Sequence, residues 1–257
     1  MEAWQLKQMQ SLPLEVKILK TQQRIREWYE AWDGQVYVSF SGGKDSTVLL
    51  RLVRDLYPDV PSVFVDTGLE YPEIRDFVKT KENVTWLRPK MSFNKVIELY
   101  GFPVISKEQS QKIREARHTQ SDKLRDLRIN GRNGNFKIST KWLMMVNAPF
   151  EISEKCCNVM KKAPFKEYEK STGNKAFIGT MASESRLRRT EYLRSGCNSF
   201  NGKLSSKPLS FWIEQDVLQY LNDSDEPYAA IYGGIIQTSS GLTTTGVSRT
   251  GCMFCMF

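Results

Sequence analysis

Apolar positions along the chain follow two different periods, and their succession predicts a fold. Leu14, Val16, Ile18, Leu19, Ile25, Trp28, Tyr29 and Trp32 recur at the spacing of one helical face, so residues 14–33 are expected to form an amphipathic helix that Gly34 stops. QVYVSF at 35–40 is a short apolar run and predicts a buried strand, followed by a glycine-rich turn and a helix over 45–57. SVFVDTG at 62–68 predicts a second strand, 71–80 a helix, VTWLRP at 84–89 a third strand, and 92–101 another helix. Strand character returns at KAFIGTM, 175–181. FWIEQDVLQYLND, 211–223, predicts a helix with Ser210 as N-cap, and the Gly/Ser/Thr-rich stretch 233–251 reads as a loop. Strands alternating with helices imply an α/β fold, a doubly wound and mainly parallel sheet with right-handed crossovers.

A length of 257 residues suits one large domain with appendages. The expected division is an N-terminal helical segment, 1–33, and a main domain, 34–257, in which 107–141 is a helical excursion and 195–257 a cysteine-bearing segment. No apolar run approaches the ~18 residues of a membrane span. The start MEAWQLKQMQ lacks the basic-then-apolar pattern of a secretory signal. A cytoplasmic protein without membrane contact is expected; the oligomeric state is left open.

Charge changes the picture in one place. Lys and Arg number 37 against 29 Asp and Glu, a surplus of 8. From Lys107 to Lys141 stand ten basic residues (Lys107, Lys112, Arg114, Arg117, Lys123, Arg125, Arg128, Arg132, Lys137 and Lys141) against four acidic ones. This stretch is either a set of ion-paired, solvated helices or a surface for a polyanion such as tRNA or DNA. The chain has one histidine, His118, so a histidine-built metal site is not expected.

The strongest motif lies between the first strand and its helix: Ser39-Phe40-Ser41-Gly42-Gly43-Lys44-Asp45-Ser46-Thr47. Two glycines allow close approach of backbone N–H groups to a phosphate, the helix N-terminus adds partial positive charge, and Lys44 adds a full one. Asp45 suits a Mg²⁺ bridging phosphate oxygens. The spacing is not that of a Walker A loop. SGGKDS resembles the pyrophosphate-binding PP-loop of the adenine-nucleotide alpha-hydrolase superfamily. Asp66-Thr67-Gly68 with Glu70-Tyr71-Pro72-Glu73 resembles the "DTG…PE" segment of the phosphoadenylylsulfate (PAPS) reductase family, and Gly179, Glu184-Ser185 and Arg188 its "G…ES…R" segment. Pro208-Leu209-Ser210 with Trp212, Asp216, Val217, Pro227-Tyr228 and Tyr232 is similar to its C-terminal helix and loop. The resemblance implies a three-layer PP-loop fold that binds an adenine nucleotide through Ser39, Ser41, Gly42, Gly43, Lys44, Asp45, Ser46, Asp66, Thr67, Gly68, Gly179, Glu184 and Arg188.

Five cysteines in a reducing compartment point to metal or redox chemistry rather than disulfides. Tandem Cys156-Cys157, followed by Lys161-Lys162-Ala163-Pro164 and the distant Cys252-x-x-Cys255, resembles the cluster pattern of adenylylsulfate reductases. That resemblance implies a 4Fe–4S cluster on Cys156, Cys157, Cys252 and Cys255. Zinc and unligated thiols are the alternatives, and adjacent cysteines fit the small tetrahedron of zinc poorly. Cys197 is either a reactive thiol, a substitute ligand or a buried apolar residue.

The reductases carry a catalytic cysteine in a "CG[IL]H" tail, whereas this chain ends at Phe257, two residues past Cys255, and keeps SGGKDS whole. Both departures lead to the expectation of Mg²⁺-ATP cleavage between the α- and β-phosphates, adenylating an acceptor for sulfur transfer, with Lys44 and Asp45 catalytic and Cys197 a candidate thiol. Alternatives are a sulfonucleotide (APS/PAPS) reductase and a nucleic-acid-binding accessory subunit without turnover.

Overall fold

Short runs of Val, Phe and Ile become strands here because helices on both sides remove both of their faces from water. The computed structural model describes residues 2–202, 204–253 and 255. It forms two compact units: Met1–Asp66, Glu70–Leu87 and Tyr168–Gly251 make one, and Thr67–Leu69, Arg88–Glu167 and Cys252–Phe257 the other.

The first unit holds a six-stranded sheet. Its strands are β1 (Val36–Ser39), β2 (Ser62–Val65), β3 (Val84–Leu87), β4 (Lys175–Ile178), β5 (Asn198–Ser199) and β6 (Ser205–Ser206), in the spatial order β3-β2-β1-β4-β6-β5. All neighbours run parallel except β5 and β6. Register is set by pairs such as Val38 with Ser62 and with Phe177. The doubly wound, mainly parallel α/β sheet is thus as the sequence predicts. The strand order reverses between β1 and β4, the place where such sheets open a crevice at their carboxyl ends.

Helices α1 (Ala3–Gln10), α2 (Leu14–Ala31), α3 (Lys44–Arg54) and α4 (Pro72–Lys79) belong to this unit. The core joins Trp28 of α2 to Phe40, Phe64, Phe177 and Trp212, all buried. Each such side chain contributes roughly 1.5–3 kcal/mol on leaving water. Lys17 of α2 is also buried, and its Nζ donates to both carboxylate oxygens of Asp216 at 2.7 Å and to the Gln10 carbonyl.

In the second unit, α5 (Phe93–Tyr100), α6 (Lys107–His118) and α7 (Asp122–Ile129) are each opened by a serine: Ser92, Ser106 and Ser121 accept from the backbone N–H three residues on. A 3₁₀ segment follows at Thr140–Asn147, and a π-helical turn at Asn158–Lys162 begins directly after the tandem cysteines. A small core of Ile113, Ala116, Ile138 and Ile152 holds the unit together. Helix α8 (Ala163–Thr172) is divided between the two units, and α9 (Arg186–Ser195) and α10 (Glu214–Ser224) belong to the first.

Two local expectations are corrected. Helix α10 starts at Glu214 with Ile213 at its N-cap, and the Asp216 carboxylate accepts the Ile213 N–H at 2.7 Å; Ser210 instead donates to the Lys207 carbonyl. The stretch 233–251 contains a hairpin, β7 (Ile235–Thr238) with β8 (Gly241–Thr244), closed by a two-residue Ser239-Ser240 turn with Gly241 at φ +117° just after it. Among the described residues no helix is long and apolar enough to cross a membrane.

Candidate functional site

Strand β1 ends in the glycine loop, and the loop hands the chain to α3. Gly42 sits at φ +72°, and a Cβ there would lie 2.8 Å from Ile74 Cγ2, so the turn requires glycine twice over. The Ser41 N–H donates to Ser46 Oγ, and Ser46 and Thr47 hydroxyls donate to the Gly43 carbonyl at 2.9 and 3.0 Å. These bonds pin the loop against the N-terminal turn of α3, the end of a helix that favours an anion. Lys44 is buried; its Nζ donates to Glu214 Oε1 at 3.0 Å and stands 5.1 Å from the Tyr232 ring centre. The Tyr232 hydroxyl accepts the Lys44 backbone N–H and contacts Thr250 Oγ1 at 2.7 Å. Burial raises the Asp45 carboxyl above its ordinary value, against the opposing pull of Lys44 and Arg249.

The segment after β4 supplies charge. Gly179 comes close to the start of α3, and Glu184 binds two guanidinium groups, those of Arg188 and of Arg249, the latter at 2.5 Å. The same carboxylate accepts the Met181 N–H at 2.7 Å, which fixes its orientation. Burial lowers the Arg188 guanidinium from its usual value, and the Arg249 charge adds to this. After β2, buried Asp66 accepts from Arg75 Nη2 at 3.0 Å. The first unit thus gathers Ser41, Gly42, Gly43, Lys44, Asp45, Ser46, Gly179, Glu184 and Arg188 about the ends of β1 and β4. Ser39 is the last residue of β1, paired on both sides in the sheet.

In the second unit, Cys156, Cys157, Cys252 and Cys255 line one cavity with Leu69, Phe93 and Lys161. The Met253 N–H donates to the Leu69 carbonyl at 2.8 Å, and the Cys255 N–H closes a turn on the Cys252 carbonyl. Thr67 steadies this stretch by accepting the Leu69 N–H. Cys156 and Cys157 share a hydrogen bond that raises the Cys156 thiol and lowers that of Cys157; Lys107 and Lys161 lower Cys157 further. Among the described residues no three His, Cys, Asp or Glu side chains converge as on a single ion. Four thiols on one cavity are soft donors, the donor type that both zinc and iron–sulfur clusters take.

The family model described as phosphoadenosine phosphosulfate reductase domain matches residues 35–132 and 107–256. The chain belongs to this family. Among its relatives is an adenosine 5'-phosphosulfate reductase of Staphylococcus epidermidis, 25% identical over 241 residues, covering 88% of this chain and 80% of the relative. Another of the same name, from Geobacillus kaustophilus, is 26% identical over 207 residues, covering 79% and 70%. A crystal structure of a phosphoadenylyl-sulfate reductase from Candida auris shares 16% identity at a TM-score of 0.45, with 82% of each chain covered.

Within this PAPS reductase family protein, Cys197 is not among the residues that line the cysteine cavity. It is buried in the hydrophobic core, and burial pushes its thiol up to about 12. That position supports packing over reactivity. Sequence reasoning did not single out Glu214, Arg249 or Thr250; only folding brings them to the loop, and no local pattern marks them. Part of the basic stretch is paired with carboxylates inside and beyond it. Arg114 makes two bonds to Glu154, Arg117 and Arg128 bind Glu151 and Glu115, and Arg125 donates to the Ala116 and Thr119 carbonyls.

Proposed function

We propose that this protein is a sulfonucleotide reductase: it binds an adenylyl sulfate at the loop 41–47 and supports its thiol-dependent reduction to sulfite. The observation that carries the reading is the gathering of Cys156, Cys157, Cys252 and Cys255 on one cavity in a chain of this family. Those four residues would hold a 4Fe–4S cluster. Bound there, such a cluster would supply a fixed charged centre and ligation energy tying Cys252 and Cys255 to Cys156 and Cys157. The chain's own residues do the rest of the binding. Loop N–H groups, the α3 N-terminus and Lys44 take the phosphate oxygens, and Arg188 and Arg249, held by Glu184, complement the remaining negative charge.

The intact Ser41–Ser46 loop favours a second reading, ATP cleavage between the α- and β-phosphates. Asp45 would then share a Mg²⁺ with the phosphates, and Lys44 would stabilise the leaving pyrophosphate. One assay separates the two. Anaerobically purified protein is given adenylyl sulfate with a dithiol, and separately Mg²⁺-ATP with the same thiol. Sulfite and AMP from the first mixture support the reductase. Pyrophosphate from the second, with no sulfite from the first, moves the assignment to ATP cleavage. Silence in both mixtures from cluster-replete protein overturns both.

A further inference from the structure

The loop lysine is not free to serve a ligand at full charge. Lys44 Nζ lies 3.0 Å from Glu214 Oε1 while the rest of its side chain is buried, so one of its three donors is already spent on a carboxylate. The base of that carboxylate is well fixed. Glu214 is the first residue of α10, a helix start held by the Asp216 carboxylate on the Ile213 N–H and by the buried Lys17–Asp216 pair. The Tyr232 ring, 5.1 Å from Nζ, limits where the ammonium group can turn. Glu214 itself is half exposed and sits in the helix's first turn, where its negative charge is favourable. A ligand entering this loop therefore meets a lysine whose charge is partly offset, and a carboxylate that repels it in proportion to its own charge.

We propose that Glu214 is a specificity-determining residue: by pairing with Lys44 it selects against the highly charged triphosphate of ATP and in favour of the less charged phosphosulfate anhydride. This rests on the reading that the loop binds an adenine nucleotide. It gives that reading a substrate class and a reason why an intact PP-loop serves a sulfonucleotide. Glu214 acts through Lys44 and through the field at the loop, and needs no contact with the ligand.

The test is a calorimetric comparison of ATP and adenylyl sulfate, both in EDTA, on the full chain and on Glu214→Gln, Glu214→Asp, Lys44→Ala and the Glu214→Gln/Lys44→Ala double variant. Glu214→Gln is expected to tighten ATP binding about fivefold, and adenylyl sulfate binding by about twofold or less, the size of one partly exposed charge interaction. Glu214→Asp should keep the wild-type ratio. In the Lys44→Ala background the part of the change that Glu214 exerts through the lysine should be lost, and the part its own field exerts should remain and fall with added salt, a pattern that a merely structural role for Glu214 would not produce. An unchanged ratio in Glu214→Gln with binding retained overturns this inference and leaves the nucleotide reading standing. No binding of either nucleotide by the wild type overturns the nucleotide reading and this inference with it.

Discussion

A Cβ built on Gly179 would stand 3.0 Å from the Asp45 carbonyl oxygen and 3.2 Å from the Ser46 Cα. The end of β4 and the first turn of α3 therefore approach as closely as backbone allows, at the crevice where the strand order reverses. Gly179→Val should push the α3 N-terminus off the loop. Overpacking of this kind costs about 1–3 kcal/mol. Nucleotide affinity should fall by about tenfold or more while the far-ultraviolet circular dichroism is retained, since each 1.4 kcal/mol is tenfold. Wild-type affinity in this variant would show that the close approach has no part in binding.

The buried Lys17–Asp216 pair ties α2 to α10. Removing one partner leaves the other charge buried and unpaired, so Lys17→Met should lower the stability by about 3–5 kcal/mol in urea unfolding. Lys17→Met with Asp216→Leu should recover part of that loss. The recovery is expected to be incomplete, because Asp216 also accepts the Ile213 N–H at the start of α10.

Arg114 and Glu154 give the second unit a pH signature. Burial alone would raise the Glu154 carboxyl, but the hydrogen bonds from Arg114 outweigh it, and the carboxyl lies below its ordinary 4.5. A depressed carboxyl stabilises the fold above the unfolded value, and that stability is lost as pH falls through the folded value. The melting temperature of Glu154→Gln should therefore trail the wild type at neutral pH, with the gap closing below 4.5.

The same pairing bears on tRNA or DNA. Because Arg114 is spent on Glu154, Arg114→Glu should lower the melting temperature and leave the salt slope of any tRNA binding unchanged, as read by fluorescence anisotropy. A direct phosphate contact would instead reduce the slope by about one.

The cysteines make a chemical prediction. Cys252→Ser or Cys255→Ser should abolish a broad band near ~400 nm in anaerobic protein and leave nucleotide binding in place. Cys197→Ser should keep the band. In the folded wild type Cys197 should resist iodoacetamide at neutral pH, since its thiol is buried and pushed up to about 12. Rapid alkylation there would reopen its candidacy as a working thiol.

Much of this protein is local and so was legible in the chain. The strands β1 to β4 follow from short apolar runs between turn residues, and the loop 41–47 from two glycines and a lysine placed between a strand and a helix, because period and turn chemistry act over a few residues. The tandem cysteines and the Cys252-x-x-Cys255 pair were equally visible as motifs. Tertiary structure alone decided what meets what. Glu214 reaches Lys44 across 170 positions of sequence. Arg249 and Arg188 meet on Glu184, two cysteine pairs share one cavity, and Cys197 enters the core. The sequence left the basic stretch open between ion-paired helices and a polyanion surface because it counts charges but does not pair them, and Glu151 and Glu154, which hold Arg117 and Arg114, lie beyond its end. Charge pairing and burial depend on separation in space, and only the folded backbone sets it.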